Sequence, residues 1–293
     1  MEYDPLDPLD VDLDKPSDQK RPITPPRDPT LRIAGLAAGL MIALAIGYLY
    51  LRAPAGQPAP VTDAPDARSK APANRGAEPG EQIPLPPLDE TDALVRQLIA
   101  RLTSHPTVAA WLTTDGLLLN FAAVTDSLAN GEILRRELGT LGPVPAFRTQ
   151  TVRGNLFVDP SSYTRYDRHA QAIASLDGRG TARLYATLEP RILDAYRRLG
   201  GTASDFDPVL QRAIVELLKV PVVHGAVGLA PRGIGYGFAD PRLEGLSAAQ
   251  KQLLRMGPEN VQAVQVKLRE IADYLGIPVS TLPSPSTLTL ANE

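Results

Sequence analysis

Apolar and polar positions follow three different rhythms along the chain, and each predicts a different kind of structure. The first is unbroken: IAGLAAGLMIALAIGYLYL, Ile33 to Leu51, holds nineteen residues without a charge between Arg32 and Arg52. At about 1.5 Å of rise per residue, such a helix matches the roughly 30 Å hydrocarbon layer of a bilayer. It predicts a single N-terminal transmembrane helix at 33–51, with Tyr48 and Tyr50 at the end where amphipathic rings favour the headgroup layer. A secretory signal would begin near Met1 and carry a shorter apolar run, whereas 32 mostly polar residues come first here.

The second rhythm is helical and fills Leu88 to Gly276. Leu94, Val95, Leu98, Ile99 and Leu102 recur at three- and four-residue spacing after Asp89, a candidate N-cap, and Pro106 opens a short helix running to Leu112. DGLLLNFAAVTDSLANG predicts a helix closed near Gly131, and EILRRELGTLGP a short one broken at Gly142-Pro143. SSYTRYDRHAQAIASL reads as a helix capped by Ser161, and GTARLYATLEPRILDAYRRLG as a long one kinked or broken at Pro190. A further helix starts at Asp207-Pro208 and stops before Pro221. The last two are marked by a Ser247/Gln250 capping box and by Pro258-Glu259, with a stop at Gly276.

The third rhythm is extended. Phe147 to Val152 and Asn155 to Val158, separated by Arg153-Gly154, predict a small hairpin rather than a sheet. VVHGAVGLAPRGIGYGFADP is a second irregular or extended piece. It is expected to pack on the helices through Val222, Val223, Val227, Ile234, Tyr236 and Phe238, with its glycines allowing close approach. The expected fold class is therefore mainly α: the membrane helix, a long Pro/Ala-rich linker at 52–87, and a compact multi-helix domain at 88–276 with one or two short extended or hairpin inserts.

Composition adds the flanks. Residues 1–32 hold seven prolines and eight carboxylates without apolar periodicity, which predicts a disordered tail. Ala53 to Pro87 holds nine prolines, enough for a tether reaching on the order of 100 Å if it is polyproline-like. IPVSTLPSPSTLTLANE, 277–293, reads as a flexible C-terminal tail. Lys15, Lys20, Arg21, Arg27 and Arg32 outnumber Arg52, Arg68 and Lys70, which predicts the N-terminus in the cytoplasm and the C-terminal bulk exported across a single-pass membrane anchor. Gly35 and Gly39 form a G-x-x-x-G spacing suited to a weak homodimer through the membrane helix.

Charge and residue type narrow the chemistry. Within 88–276 there are 21 Lys and Arg against 20 Asp and Glu, so no nucleic-acid footprint is expected. With no cysteine in the chain, thiolate nucleophiles, cysteine-held zinc and disulfides are excluded. His105, His169 and His224 occur singly, without the i, i+4 pairing of a zinc site, and His105 before Pro106 suits a cap. RGIGYGFAD lacks the glycine spacing and the following Lys-Ser/Thr of a nucleotide loop. No cofactor, metal or catalytic residue is therefore assigned. Carboxylate pairs such as Asp159 with Asp167, or Glu189 with Asp194, keep a cell-wall glycan hydrolase as the alternative function, although sequence spacing does not set the separation that hydrolysis needs. Whether the chain is an enzyme stays open at this level.

Candidate binding residues come from two places. In SSYTRYDRH, a helix would put Tyr163 and Tyr166 on one face and Arg165 and Arg168 on another, a rim for carboxylate or phosphate groups against the alternative of core packing with a solvated face. In LRMGPENV, Arg255, Glu259 and Asn260 surround a helix stop and restart, either as a partner-binding triplet or as a purely architectural turn.

PPLDETDALVRQLI, HPTVAAWLTTDGLLLNFAAVTDSLANG, LFVDPSSYTRYD and FADPRLEGLSAAQKQLLRMGPENVQAVQVKLREIADYL together resemble a bacterial family described as domain of unknown function 3014. The likeness runs over about Pro86 to Leu275, with Leu246, Ser247, Gln250 through Gly257, Pro258 and Asn260 matching its final segment. The resemblance implies a Gram-negative envelope protein, and with it a single-pass anchor in the bacterial inner membrane and a periplasmic soluble domain, and carries over no catalytic residue. The expected role is a non-enzymatic periplasmic module: the lipid bilayer is one partner through 33–51, and another envelope protein or cell-wall glycan is the second.

Overall fold

The computed structural model describes residues 79–133, 146–233 and 235–290. The expected tail at 1–32, the membrane helix at 33–51, linker residues 52–78, the short helix from residue 134 on and Ile234 lie outside them. Among the described residues, no helix is long and apolar enough to cross a membrane.

The helices are α1 (Thr91–Leu102), α2 (Pro106–Trp111), α3 (Leu117–Ala129), α4 (Ser161–Thr164), α5 (Asp167–Ala174), α6 (Gly178–Arg198), α7 (Asp207–Leu218), α8 (Pro241–Glu244), α9 (Ala248–Leu254) and α10 (Pro258–Tyr274). Strands β1 (Thr149–Val152), β2 (Asn155–Val158), β3 (Val222–His224), β4 (Gly228–Arg232), β5 (Gly235–Phe238) and β6 (Thr287–Thr289) complete the domain. It is a mainly α, multi-helix domain with short β inserts.

The core forms around α3, which is apolar on nearly every side and packs against α6 and α7, as a helix without a polar face must. Phe206, fully buried ahead of α7, meets Phe121 at 5.7 Å and Tyr196 at 5.3 Å between ring centres, joining the three helices. Helix α10 closes the other side against α5, α6 and α7. Its buried Gln265 donates to the Leu217 and Val220 carbonyls, satisfying acceptors that the end of α7 leaves open. Asp92 turns out to cap a different helix from its own: its carboxylate accepts from the Gly116 and Leu117 amides at 2.6 and 2.8 Å, at the start of α3. His105 caps α2 through Nδ1, and the Ser247/Gln250 capping box is present on α9.

Four expectations need correction. The hairpin β1–β2 does form, turning through Arg153 at φ 50° and Gly154 at φ 83°, but it joins β4 and β5 in a four-stranded antiparallel sheet of order β1-β2-β4-β5. The pairing Leu156↔Leu229 bridges segments too distant in sequence for local pattern to link. The helix expected over SSYTRYDRH is interrupted at Arg165-Tyr166, and Ser161 is not its cap; Asp159 Oδ1 accepts from the Ser161 amide instead. Helix α6 is continuous through Pro190. The proline leaves the Ala186 carbonyl without its helical donor, and Gly80 lies against that peptide so closely that a Cβ there would be 2.6 Å from the Ala186 carbonyl carbon.

The fourth correction concerns both edges of the domain. The end of the linker is a strap: the Glu81 amide donates to Thr187 Oγ1 at 2.8 Å, and Arg191 holds the Leu85 and Pro86 carbonyls. Within the expected tail at 277–293, the described residues 277–290 are packed on the domain. Ile277 is buried, Arg269 donates to the Pro283 carbonyl, and β6 pairs in parallel with β3, Val223 facing Leu288. Alternating Leu282, Leu288 and Leu290 supply the apolar contacts that a solvated tail would lack.

Candidate functional site

The sheet lies across the α4–α5 joint and the end of α9, and between them is a pocket. Its floor follows from a chain of local requirements. Ser162, buried at the start of α4, accepts from the Arg148 amide and donates to the Arg148 carbonyl, tying the helix to the entry of β1. The next turn cannot continue smoothly, and Arg165 and Tyr166 are folded inward. Arg165 is 8% exposed; its guanidinium lies 4.8 Å from the Tyr166 ring centre and 5.5 Å from that of Phe147, and its Nη2 donates to the Tyr166 hydroxyl.

The opposite wall is the end of α9. Gln252, Leu254 and Arg255 line the pocket there, while Val158, Leu229, Tyr236 and Phe238 come from the strands and Val227 from the residue before β4. Gln252 is 5% exposed, and its Oε1 accepts from Arg255 Nη1 at 3.3 Å. Tyr163 completes the rim, its ring resting on Gly257, where a Cβ would lie 2.4 Å from Tyr163 Cγ. Burial pushes the Tyr163 phenol up to about 12, so it remains an O–H donor at any physiological pH.

Three of the six residues singled out from sequence, Tyr163, Arg165 and Arg255, thus converge on one cavity. Asn260 stands behind it, donating through Nδ2 to the Tyr163 carbonyl, the Met256 carbonyl and Asp167 Oδ1, and so holding the α4–α5 joint to the α9–α10 turn. Arg168 and Glu259 are exposed and do not line the pocket. Because the helix breaks at Arg165, Arg165 and Arg168 do not share a face: one is in the wall and the other in solvent. Sequence reasoning missed Phe147 and Gln252. Gln252 carried a usable signal, since it falls on the stripe Ala249, Gln252, Leu253, Met256 at helical spacing, where a polar side chain must be held by a partner.

The carboxylate pairs lie elsewhere. Asp159 holds the Ser161 amide and hydroxyl, which keep it below the usual carboxylate range; Asp167 is engaged by Asn260, and Asp194 by Arg191. Glu189 is raised by burial and by the charges of Asp207 and Asp205, and the Tyr185 hydroxyl donates to Asp207 at 2.5 Å. None of these acids lines the pocket. Among the described residues, no group of three or more His, Cys, Asp or Glu is placed to hold a metal ion.

No curated protein and no solved structure matches the chain. A family model described as "Protein of unknown function (DUF3014)" matches residues 117–272, from the first residue of α3 to the last turn of α10. That span is more than half of the chain and contains every pocket residue, and the chain belongs to this family.

Proposed function

We propose that this chain is a membrane-tethered binding module of the bacterial envelope, carried outside the inner membrane by the 33–51 segment and acting through the Arg165–Arg255 pocket rather than by hydrolysis. The observation that carries the reading is the pocket's chemistry: arginine, glutamine and tyrosine side chains set in an apolar wall, with no carboxylate among the described lining residues. A glycan hydrolase needs an acid and a base on either side of the scissile bond. The acids whose carboxyls burial raises, Glu81, Glu189 and Asp207, do not line the pocket. Donors grouped in an apolar setting suit recognition of a ligand that brings acceptors.

The test has two parts. In spheroplasts, added protease should remove the domain from the membrane-anchored chain, and the purified full chain should release no soluble fragments from cell-wall glycan. Protection of the domain from protease would remove the envelope assignment. Glycan release that disappears in Glu189→Gln would replace the binding module with an enzyme.

A further inference from the structure

We infer that the strap at residues 80–88 is a detachable clasp between tether and domain: docked along α6 it holds the tether's exit beside Thr187, and released as a unit it leaves the domain folded and lets the pocket stand farther from the bilayer. The use of the clasp rests on the tethered-module reading; its opening does not.

Three contacts show how the strap lies. Gly80 and Glu81 meet Ala186 and Thr187, the Leu85 and Pro86 carbonyls meet Arg191, and the Asp89 carboxylate just beyond meets Arg198, accepting from its Nη2 at 3.1 Å. These contacts advance together along both segments, so strap and helix run in the same direction. The strap end that the linker joins therefore sits at Thr187, eleven residues and about 16 Å of helix before Arg198. Recognition is mostly of backbone, one amide and two carbonyls, with Ile83, Leu85 and Leu88 adding apolar contacts. Gly80 seats against the peptide whose carbonyl Pro190 leaves without its helical donor, which gives the strap a fixed register on α6.

The register is specific, yet the hold is light. None of residues 80–88 is buried: Ile83, Leu85, Pro86 and Leu88 are half-buried, and Glu81, Gln82, Pro84 and Pro87 are exposed. The Asp89–Arg198 pair is exposed on both sides, where water screens it. A Pro-rich extended segment makes few hydrogen bonds with itself and stays extended when free, so neither docking nor release carries a large cost. Helix α6, by contrast, is held from its other sides by α3 and α10, and its Leu188, Ile192 and Ala195 are fully buried. Any pull on the tether reaches the strap first, because the strap joins the linker to α1. Release moves the exit from the Thr187 level of α6 to its Arg198 end, and nine residues of strap add on the order of 25 Å of reach. Local opening of this kind draws on the least stable part of a fold and spares the core.

The chain has no cysteine, so two introduced thiols can be labelled without background. The full chain in detergent micelles carries nitroxides at Gln82→Cys on the strap and at Ala174→Cys, exposed at the end of α5, and pulsed electron resonance reads their separation. One narrow separation should dominate in this parent. Adding Arg191→Met, which removes both carbonyl contacts, should raise the released fraction at least about tenfold and bring up a second population longer by more than about 10 Å. On the unlabelled chain, cleavage at Glu81 by a glutamate-specific protease should proceed in urea well below the loss of far-UV helical signal and leave a folded domain. A single separation unchanged by Arg191→Met overturns the clasp. So does a lengthening below about 10 Å, which is all that residues 80–82 would give by fraying while Pro86 stays held. Cleavage that rises only as the helical signal is lost overturns it too, and that measurement on the parent decides if Arg191→Met fails to fold. Both readouts are the same on either side of a membrane, so their failure leaves the spheroplast and glycan tests above untouched, and the reverse holds.

Discussion

At Gly257 a methyl group would lie 2.4 Å from the Tyr163 ring, on a backbone already at φ 84° and ψ 165°. That conformation is open essentially to glycine alone, and differs from the left-handed helix-ending geometry that a Gly-Pro junction suggests. Strain and overpacking act together, so Gly257→Ala should lose about 3 kcal/mol of stability in denaturant melts. Glu259→Gln two residues on, exposed in the first turn of α10, should lose only about 0.3 to 1 kcal/mol. A small effect at Gly257 would show that the Tyr163 ring moves aside freely. The requirement for glycine was legible from LRMGPENV; the ring that enforces it was not, because Tyr163 is 94 residues away in the chain.

Also at the residue scale, Glu189 makes a pH-dependent contribution. Burial, then Asp207 and Asp205, raise its carboxyl above the ordinary 4.5, so the folded chain keeps this proton to higher pH than the unfolded chain does. Stability from the group is complete below about pH 4 and is lost as pH rises through the folded value. Glu189→Gln should therefore melt above the parent at pH 7 and level with it near pH 4. Equal melting temperatures at both values would show that Glu189 is solvated.

Elements in this domain are held at their ends by residues from elsewhere, and the strap shows it most directly. Pro190 opens a gap in the hydrogen bonds of α6, the strap lies over that region, and Arg191 donates to the Leu85 and Pro86 carbonyls at 3.1 and 2.7 Å. Arg191→Met keeps the apolar stem and removes both bonds. It should cost about 1 to 3 kcal/mol and speed cleavage at Glu81 by a glutamate-specific protease. Unchanged cleavage would place the anchoring of the strap in Thr187 and the apolar contacts of Ile83 and Leu85 alone. Helix α6 itself was readable from its 3.6-residue period. That its proline marks a docking line rather than a break depends on residues 80–87, which by composition read as linker.

For the whole molecule, sheet and helices share one core. Val158, Leu229 and Phe238 belong to the same buried cluster as Phe121, Ile214 and Leu268. The sheet also meets the helices directly, through Ser162 of α4 on the Arg148 backbone at the entry of β1. Unfolding followed by far-UV circular dichroism and by tyrosine fluorescence should give coincident transitions. Two separated transitions would make the sheet a unit of its own.

By itself, the sequence determined the helical class of the domain, most helix boundaries, the Arg153-Gly154 turn, the capping box and the glycine before Pro258. Each of these is a local matter of periodicity, donor supply or allowed φ, and needs only neighbours within a few residues. The motifs that placed the chain in its family are of the same local kind. Tertiary structure decided the rest: that the hairpin would meet β4, that β6 would find β3, and that the two arginines would face one cavity while Arg168 and Glu259 stayed in solvent. Strand edges pair through backbone groups that every residue carries, so their partners are chosen by packing across the whole chain rather than by any local pattern.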